Sequence, residues 1–322
     1  MADTVDPRRL AERLERAVVR IDPALPGEVA RGVEEITGRP PGEGTGPVVH
    51  IGPTLPASAH PGGAPDLLWV HSTNAGVDGM LGSVPGTASP WPEGVLLTRT
   101  VGRMGERIGQ YVLAWALADC QNVRGFLDQH AARTWHRLPT ELAADSGAVV
   151  FGTGHIGSGI GAALQRCGIR TTGVARTARE APGFDTVLAL DAPELTAALS
   201  GARWVVNALP LTPATRGLFG PRLLCATDGA TFVNVGRGES VLTDALAEAL
   251  RSGHLGAAVL DALPDEPTPP DSPLWDLPRT VLTSHSAGIT TPADILTDFH
   301  TSWTTLTSGH LPPLTVRTDA GY

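Results

Sequence analysis

The chain has 322 residues, of which 42% are hydrophobic, and a formal net charge of −9. This length and composition predict a globular protein of one large or two ordinary domains and argue against a disordered chain. The sequence has no run of about 18 apolar residues and no basic-then-apolar start, so we expect neither a membrane segment nor a signal peptide and predict a cytoplasmic location. The acidic balance, without a basic block, argues against nucleic acid and favours a small molecule as partner.

The first hundred residues predict a small α/β domain. A helix is expected from Pro7 to Arg16, and short apolar runs follow as candidate strands, namely AVVRI, PVVHIG, DLLWVHS and GVLLTRT. A stretch rich in Pro and Gly, from Arg39 to Pro65, interrupts these runs. The segment RMGERIGQYVLAWALADC then predicts a linking helix, with an apolar face of Ile108, Val112, Trp115 and either Ala116 or Leu117.

From about residue 148 the chain alternates short apolar runs with helical segments. The runs are AVVFG, TTGVA, WVVNALP, TFVNVG, GAAVLDAL and TVLTSH, as expected for strands buried on both faces. Helices are predicted over Ile156–Cys167, Ala192–Ser200 and Thr243–Arg251. This alternation predicts an α/β fold with a doubly wound parallel Rossmann sheet over residues 103–289. Residues 1–102 and 290–322, the latter with a helical pattern after Pro292, are expected to form a smaller α/β domain.

The stretch VVFGTGHIGSGIG joins a predicted strand to a predicted helix. Its GxGxxG pattern is that of a dinucleotide-binding loop: Gly152 permits a tight turn, Gly154 lets the backbone approach a pyrophosphate, and Gly157 allows close helix packing. Because the chain has 38 glycines, the pattern alone is weak, and a plain tight turn is the alternative. The strand, turn and helix context favours a cofactor, which His155 and Ile156 are also predicted to border.

The end of the next predicted strand favours NADP(H), with NAD(H) as a second possibility. NAD enzymes place an acidic residue about 20 residues after the glycine fingerprint, at the adenine ribose. Here Arg176, Thr177 and Arg179 take that place. A guanidinium pairs with a 2′-phosphate, whereas a carboxylate repels it. The alternative is a solvated arginine on a surface loop.

Three further strand ends carry side chains that suit hydride transfer to a 2-oxo acid. The segments NVGRG, LDALPDEP and TSHSAG place Arg237, Glu266 and His285 at the edge of a parallel sheet where ligands bind. A cation can bind the substrate carboxylate, an acid can protonate the oxygen that gains charge, and a third group can hold that acid. Taken singly, each residue is better explained as ordinary surface or loop polarity.

Cysteines and metal ligands add no further site. The three cysteines, Cys120, Cys167 and Cys225, lie apart without CxxC spacing, and we predict buried free thiols. No HExxH or comparable ligand spacing is present, so no metal is expected.

Longer motifs surround the three polar residues. They read NALPLTPATRGLFG, TFVNVGRGESVLTDALAEALRSGHLGAAVLDALPDEPTPPDSPLWDLP and LTSHSAG. In order and content they resemble the D-2-hydroxyacid dehydrogenase family, the group that includes glyoxylate and hydroxypyruvate reductases and phosphoglycerate dehydrogenase. The resemblance is dense from about Gly147 to Gly288 and extends more weakly to STNAGVDGML, LTRTVG and the terminal DAGY.

This resemblance implies an NAD(P)-dependent oxidoreductase that transfers hydride between the nicotinamide and C2 of a 2-oxo acid or D-2-hydroxy acid. It implies that Arg237 binds the substrate carboxylate and C2 oxygen, that His285 donates the proton, and that Glu266 orients the imidazole. Asp261 matches the residue that contacts the nicotinamide carboxamide. Backbone N–H groups of Asn74, Ala75, Gly76 and Val77 match a loop that holds the substrate carboxylate. Further cofactor contacts are implied at Leu209, Pro210, Thr215, Val235, Gly236, His285, Ala287 and Gly288.

The resemblance also implies a flavodoxin-like substrate domain and a homodimer formed by the nucleotide domains, with the Gln121–Ala143 region as the contact. Two positions depart from the family: Gln110 stands where an acidic residue is common, and Ser284 stands where proline is common. Both departures bear on loop positioning more than on the proton transfer.

The substrate is the least determined part of this interpretation. A glyoxylate- or hydroxypyruvate-like acid and a specialised biosynthetic 2-oxo acid fit the same residues. The alternative from another functional class is a cofactor-sensing, corepressor-like binding protein without significant turnover. Formate- or phosphite-type oxidation within the same fold is a third alternative, although formate enzymes of this group carry Gln where Glu266 stands.

Overall fold

The computed structural model describes residues 5–42, 44–56, 66–82, 91–318 and 321, which form two compact units. The first unit comprises Met1–Arg103 and Thr290–Tyr322, and the second comprises Met104–Ile289. The sequence-based division ends the first segment at residue 102, one residue before the boundary in the structure. Of the terminal DAGY motif, all but Gly321 lies outside the described residues.

The first unit is built on a four-stranded parallel sheet in the order β1-β2-β3-β4. Its elements up to the end of the sheet are α1 (Pro7–Leu14), β1 (Val18–Ile21), α2 (Gly27–Thr37), β2 (Val48–Gly52), β3 (Leu67–Ser72) and β4 (Leu96–Arg99). All four predicted strands form, but α2, which buries Val29 and Val33, is not among the predicted helices. Among the described residues the strand order is sequential, whereas flavodoxin-like sheets have the order 2-1-3-4-5.

The second unit contains a seven-stranded parallel sheet in the order β11-β10-β9-β8-β5-β6-β7. Its elements are α3 (Met104–Cys120), α4 (Val123–Ala132), β5 (Gly147–Phe151), α5 (His155–Gln165), β6 (Arg170–Ala175), β7 (Thr186–Ala189), α6 (Glu194–Ser200), β8 (Trp204–Asn207), α7 (Pro221–Leu224), β9 (Ala230–Asn234), α8 (Thr243–Ser252), β10 (Leu255–Leu260) and β11 (Thr280–Leu282). The predicted doubly wound parallel sheet is confirmed. Sequence reasoning missed β7, a four-residue edge strand whose short apolar run, VLA, is only half-buried.

The order of the strands reverses beside β5. From β5 the chain builds β6 and β7 on one side, and then β8 to β11 on the other side. In open parallel sheets, ligands bind beyond the carboxyl ends of the strands at such a reversal. The loop that leaves β5 is the glycine loop, so the fold places it at this point.

Helix α3 lies close to α5 in the second unit. Ile108, Val112 and Ala116 are buried, whereas Leu117 is 37% exposed, so Ala116 and not Leu117 completes the apolar face. Trp115, predicted on the same face, is half-buried.

The chain returns to the first unit through α9 (Pro292–Thr307). This helix begins with a capping box formed by Thr291 and Asp294, which satisfies backbone N–H groups at its start. Its Phe299 ring stacks on Trp69 of β3 at a centroid distance of 5.2 Å. The C-terminal helix therefore forms part of the core of the first unit.

The described residues show no disulfide and no group of three or more His, Cys, Asp or Glu that could hold a metal ion. Cys120 is buried, but Cys167 and Cys225 are partly exposed, so the prediction of three buried thiols is wrong for two of them. None of the helices in the described ranges combines the length and apolar character that a bilayer crossing demands.

Candidate active site

The glycine loop leaves β5 and opens α5. Gly152 has a φ of 103°, and a Cβ at that position would lie 2.8 Å from the carbonyl oxygen of Ala208. A Cβ at Gly157 would overlap the carbonyl oxygen of Gly152, whereas one at Gly154 would meet no atom within 4 Å. No side-chain hydrogen bond caps α5 at Gly154 among the described residues, so the first N–H groups of the helix are available to a phosphate.

Arg176, Thr177 and Arg179 lie directly beyond the carboxyl end of β6 and are exposed. Strand β6 pairs with β5, so these residues lie at the same sheet edge as the glycine loop. In dinucleotide-binding folds, residues at this position contact the adenine ribose of the cofactor.

His285 and Glu266 are joined by a hydrogen bond. The Nδ1 atom of His285 lies 2.8 Å from Oε2 of Glu266, although the two residues are 19 positions apart in the sequence. The other carboxylate oxygen, Oε1, accepts a 2.8 Å hydrogen bond from the backbone N–H of Leu263, which fixes the carboxyl group. Because an ionised carboxylate only accepts, Nδ1 carries the hydrogen, and Nε2 is left for another partner.

Arg237 follows β9 and its backbone is held from two sides. Its carbonyl oxygen accepts hydrogen bonds from Ser240 Oγ at 2.6 Å and from Asn234 Nδ2 at 3.2 Å. Its own Nη1 donates to the carbonyl oxygen of Gly236 at 2.8 Å. Strands β9, β10 and β11 are parallel neighbours, so Arg237, Glu266 and His285 all follow strands that end at one edge of the sheet.

Sequence reasoning missed a buried amide network beneath Arg237. Asn207 Nδ2 donates to Asn234 Oδ1 at 2.8 Å and to Ser240 Oγ at 2.7 Å, and each of the three side chains is at most 1% exposed. Asn207 and Asn234 are the polar ends of the apolar runs WVVN and TFVN. That position, at the carboxyl end of a buried strand, is the signal that could have identified them.

Asp261, at the end of β10, is 2% exposed. Its carboxylate accepts hydrogen bonds from the backbone N–H groups of Ser286 at 2.9 Å and Ala287 at 3.0 Å. The structure thus shows the Asp261 carboxylate bound to the loop that carries His285. The predicted contact of Asp261 with the nicotinamide carboxamide stays a prediction.

The remaining predicted cofactor residues lie in loops after β8, β9 and β11, namely Leu209, Pro210, Thr215, Val235, Gly236, Ala287 and Gly288. The Thr215 hydroxyl donates to the carbonyl oxygen of Pro210 at 2.6 Å and so shapes the first of these loops. The side chains of Val235 and Ala287 are buried, so their contacts with a cofactor would be through the backbone.

The predicted substrate loop, Asn74, Ala75, Gly76 and Val77, follows β3 in the first unit. Val77 is buried, and the N–H of Asn74 donates to Ser72 Oγ at 3.1 Å. Arg99 Nη1 donates to the carbonyl oxygen of Ala75 at 3.2 Å, and burial lowers the pKa of Arg99. Arg99 is a further residue that sequence reasoning missed.

The two positions that depart from the resembled pattern are exposed. Gln110 lies on the solvent side of α3, and Ser284 precedes His285 in the loop after β11. The carbonyl oxygen of Ser284 accepts a 3.0 Å hydrogen bond from Ser286 Oγ.

A model of the D-isomer specific 2-hydroxyacid dehydrogenase NAD-binding domain matches residues 113–287, more than half of the chain. The chain belongs to this family. This dehydrogenase is therefore an oxidoreductase, as the resemblance predicted, and its second unit contains the family's nicotinamide-dinucleotide domain.

Solved structures of relatives extend the similarity to nearly the whole chain. A D-isomer specific 2-hydroxyacid dehydrogenase from Xanthobacter autotrophicus Py2, in complex with NADPH and MES, is 26% identical, with a TM-score of 0.82 over 95% of this chain and 100% of that one. An NADPH-dependent glyoxylate/hydroxypyruvate reductase from Sinorhizobium meliloti, in complex with NADP and sulfate, is 28% identical. Its TM-score is 0.76, over 95% of this dehydrogenase and 99% of the reductase.

A Streptomyces coelicolor protein is more similar in sequence. It is described as an uncharacterized protein in the mprR 3′ region and is 50% identical over 291 residues, which cover 89% of this dehydrogenase and all of that protein.

Proposed function

We propose that this dehydrogenase is an NADPH-preferring reductase of small 2-oxo acids, which it interconverts with D-2-hydroxy acids. The observation that carries the proposal is the hydrogen bond between His285 Nδ1 and Glu266 Oε2, at the sheet edge where the glycine loop lies. An imidazole oriented by a carboxylate, beside a dinucleotide loop, suits the protonation of an oxygen during hydride transfer.

When bound, the nicotinamide supplies the hydride that adds to C2 of the substrate. His285 donates a proton from Nε2 to the C2 oxygen, because its Nδ1 is held by Glu266. The negative charge of Glu266 stabilises the protonated imidazole before the transfer. The His285 side chain is 47% exposed, so it can take up a proton from solvent after each turnover.

Arg237 binds the carboxylate and the C2 oxygen of the substrate. A guanidinium forms paired, charge-assisted hydrogen bonds with a carboxylate and stabilises negative charge on the reacting oxygen. The buried Asn234 and Ser240 side chains donate to the Arg237 carbonyl oxygen, and Asn207 donates to both of them. These bonds limit the freedom of the residue that carries this cation.

The preference for NADP(H) is supported by Arg176 and Arg179, which are exposed beyond β6 where NAD enzymes have an acid. The relatives from Xanthobacter autotrophicus and Sinorhizobium meliloti, whose structures contain NADPH or NADP, agree with this preference. NAD(H) is a second, weaker cofactor in this proposal.

The substrate class follows from the resemblance and from the Sinorhizobium relative, a glyoxylate/hydroxypyruvate reductase. We expect a glyoxylate- or hydroxypyruvate-like acid, or a specialised biosynthetic 2-oxo acid of similar chemistry. Backbone N–H groups of residues 75–77 are expected to bind its carboxylate, because the N–H of Asn74 already donates to Ser72 Oγ.

The same proposal includes a homodimer that buries helix α4. This ten-residue helix has no buried side chain, and large apolar residues on it and after it are exposed. They are Val123, Phe126, Leu127, Trp135 and Leu142, with Trp135 98% exposed. A second copy of the chain can cover this patch, because a twofold contact pairs identical surfaces. A cytoplasmic location stays a prediction.

The test is the oxidation of NADPH and NADH by the purified protein with glyoxylate, hydroxypyruvate, pyruvate and bulkier 2-oxo acids. His285→Ala is the catalytic variant, and His300→Ala, on the exposed side of α9, is the matched control. We expect turnover that favours NADPH, is abolished in His285→Ala and persists in His300→Ala.

Two results would contradict the proposal. Equal turnover by His285→Ala and the natural chain would remove His285 from the mechanism. NADPH binding with no turnover of any 2-oxo acid would favour the cofactor-sensing binding protein instead.

A further inference from the structure

The loop that carries His285 is held by one buried carboxylate. Asp261 Oδ1 accepts hydrogen bonds from Thr283 Oγ1 at 2.5 Å and from the Ser286 N–H at 2.9 Å, and Oδ2 accepts from the Ala287 N–H at 3.0 Å. The N–H of His285 itself donates to the Asp261 carbonyl oxygen at 3.0 Å. Three of these four contacts are made by the backbone of the loop.

The hydrogen bonds made by the Tyr111 and Thr283 hydroxyl groups have a defined direction. Tyr111 Oη, on α3, lies 2.8 Å from Thr283 Oγ1. A threonine hydroxyl has one hydrogen, and Thr283 must give it to Asp261, because an ionised carboxylate cannot donate. Tyr111 therefore donates to Thr283, and the series of hydrogen bonds runs from Tyr111 through Thr283 to Asp261. Burial is the largest cause that raises the pKa of Tyr111, so this donor keeps its hydrogen in the neutral pH range.

The backbone at His285 explains why the loop needs such support. His285 has a φ of 49°, which lies in the left-handed region of backbone conformation that residues other than glycine rarely adopt. A residue in this region persists only where its surroundings over-determine it. Asp261 supplies that constraint on both sides of the histidine, because it binds Thr283 before it and Ser286 and Ala287 after it.

We infer that Tyr111 and Thr283 are positioning residues for the proton transfer by His285. They act through Asp261: their hydroxyl chain fixes its carboxylate, and the carboxylate fixes the loop in the conformation that brings His285 Nδ1 to Glu266. The inference rests on the proposed function, since it assigns His285 the proton transfer. Neither hydroxyl touches the substrate in this inference, so their loss lowers kcat and leaves the substrate KM nearly unchanged.

The test compares Thr283→Val, which removes the hydroxyl and keeps the shape, with Thr283→Ser, which keeps the hydroxyl. Thr280→Val, at the start of the same strand, is the matched control. We expect Thr283→Val to lower kcat by about tenfold or more, as loss of a hydrogen bond to a charged group predicts, and Thr283→Ser to stay near the natural value.

Tyr111→Phe tests whether Tyr111 acts through the hydrogen bond to Thr283. Because Tyr111 acts through Thr283, the double variant Tyr111→Phe/Thr283→Val should be no slower than Thr283→Val alone. Single effects that multiply in the double variant would overturn the inference, and so would a Thr283→Val enzyme with an unchanged kcat.

A measurement without turnover separates this inference from the proposed function. Amide hydrogen exchange at Ser286 and Ala287, whose N–H groups bind Asp261, should be faster in Thr283→Val than in the natural chain or in Thr280→Val. Unchanged exchange at both amides would overturn the positioning role even if no 2-oxo acid were turned over. Absence of turnover in the natural chain, with faster exchange in the variant, would refute the proposed function alone.

Discussion

Glu266 holds His285 by one carboxylate oxygen and the Leu263 backbone by the other, with both hydrogen bonds at 2.8 Å. The carboxylate therefore joins the loop after β10 to the loop after β11. Its charge and its geometry can be separated by substitution, because glutamine keeps the shape and removes the charge.

Glu266→Gln should lower kcat for 2-oxo acid reduction by about 100-fold or more, within the range for a disrupted acid–base pair. The reason is that a neutral amide no longer stabilises the protonated imidazole. Steady-state kinetics with NADPH provide the measurement. Asp265→Asn, at the exposed neighbouring position, should behave like the natural chain. A kcat within twofold of the natural value in Glu266→Gln would refute the assigned role.

Arg176→Asp should shift the cofactor preference toward NADH. Removing a charge-assisted bond to the 2′-phosphate and adding a repulsive carboxylate should lower the ratio of kcat/KM for NADPH over NADH by about 100-fold. Arg170→Asp, at the exposed opposite end of β6, is the control and should leave the ratio unchanged. If both variants keep the natural ratio, Arg176 does not bind the phosphate.

Arg99→Met should raise the KM for the 2-oxo acid by about tenfold while kcat changes little, as expected for loss of substrate binding. The guanidinium donates to the carbonyl oxygen of Ala75 and so orients the predicted substrate loop. Initial-rate measurements at saturating NADPH would determine both constants. An unchanged KM, with a native melting temperature, would show that the loop does not depend on this contact.

Leu127→Arg should convert a dimer into a monomer. Leu127 is 64% exposed on α4, and a charge buried at the centre of an apolar contact is costly. Light scattering coupled to size-exclusion chromatography gives the mass. Leu311→Arg, a 43% exposed leucine in the first unit, is the control and should remain dimeric. A monomeric natural chain, or a Leu127→Arg chain that stays dimeric, would contradict this surface.

His71 is a neutral histidine in the core of the first unit. Trp69 donates to Thr98 Oγ1, which lies 2.7 Å from His71 Nδ1, and Thr100 Oγ1 lies 3.1 Å from His71 Nε2. The Thr100 hydroxyl donates to the Ser72 carbonyl oxygen, so Nε2 must donate to Thr100 and Nδ1 must accept from Thr98. Burial lowers the pKa of His71 from 6.5 to about 3.

This burial predicts a loss of stability in acid. The unfolded chain takes up a proton at His71 below about pH 6.5, whereas the folded chain does not until about pH 3. The free energy of unfolding is therefore not reduced by His71 above about pH 6.5. Below that pH it falls by up to about 1.4 kcal/mol per pH unit. Urea unfolding at several pH values between 4 and 8 measures this dependence. The free energy of unfolding should fall less steeply with decreasing pH in His71→Gln than in the natural chain. Parallel pH curves for the two chains would show that His71 is not the titrating group.

Local patterns were sufficient for most of the fold and for the choice of candidate site residues. Buried apolar runs such as TFVNVG predicted strands, and the position of the glycines between a strand and a helix predicted the dinucleotide loop. Sequence reasoning missed β7, whose apolar run is only three residues long and which, as an edge strand, has no fully buried residue. The strand order, with its reversal beside β5, was also beyond the local pattern, because it depends on which distant strands pair.

Sequence alone therefore predicted the fold class and the family, both of which are confirmed, and it selected Arg237, Glu266 and His285 as candidate site residues. Each of these predictions depends on a short motif of residues adjacent along the chain. Only the tertiary structure decided which side chains meet. The Tyr111 and Thr283 hydroxyls are 172 positions apart, and the Asn207 and Asn234 amides come from separate strands. Such hydrogen bonds depend on strand register and on loop backbone conformation to within a few tenths of an ångström, which no local pattern of residue types specifies.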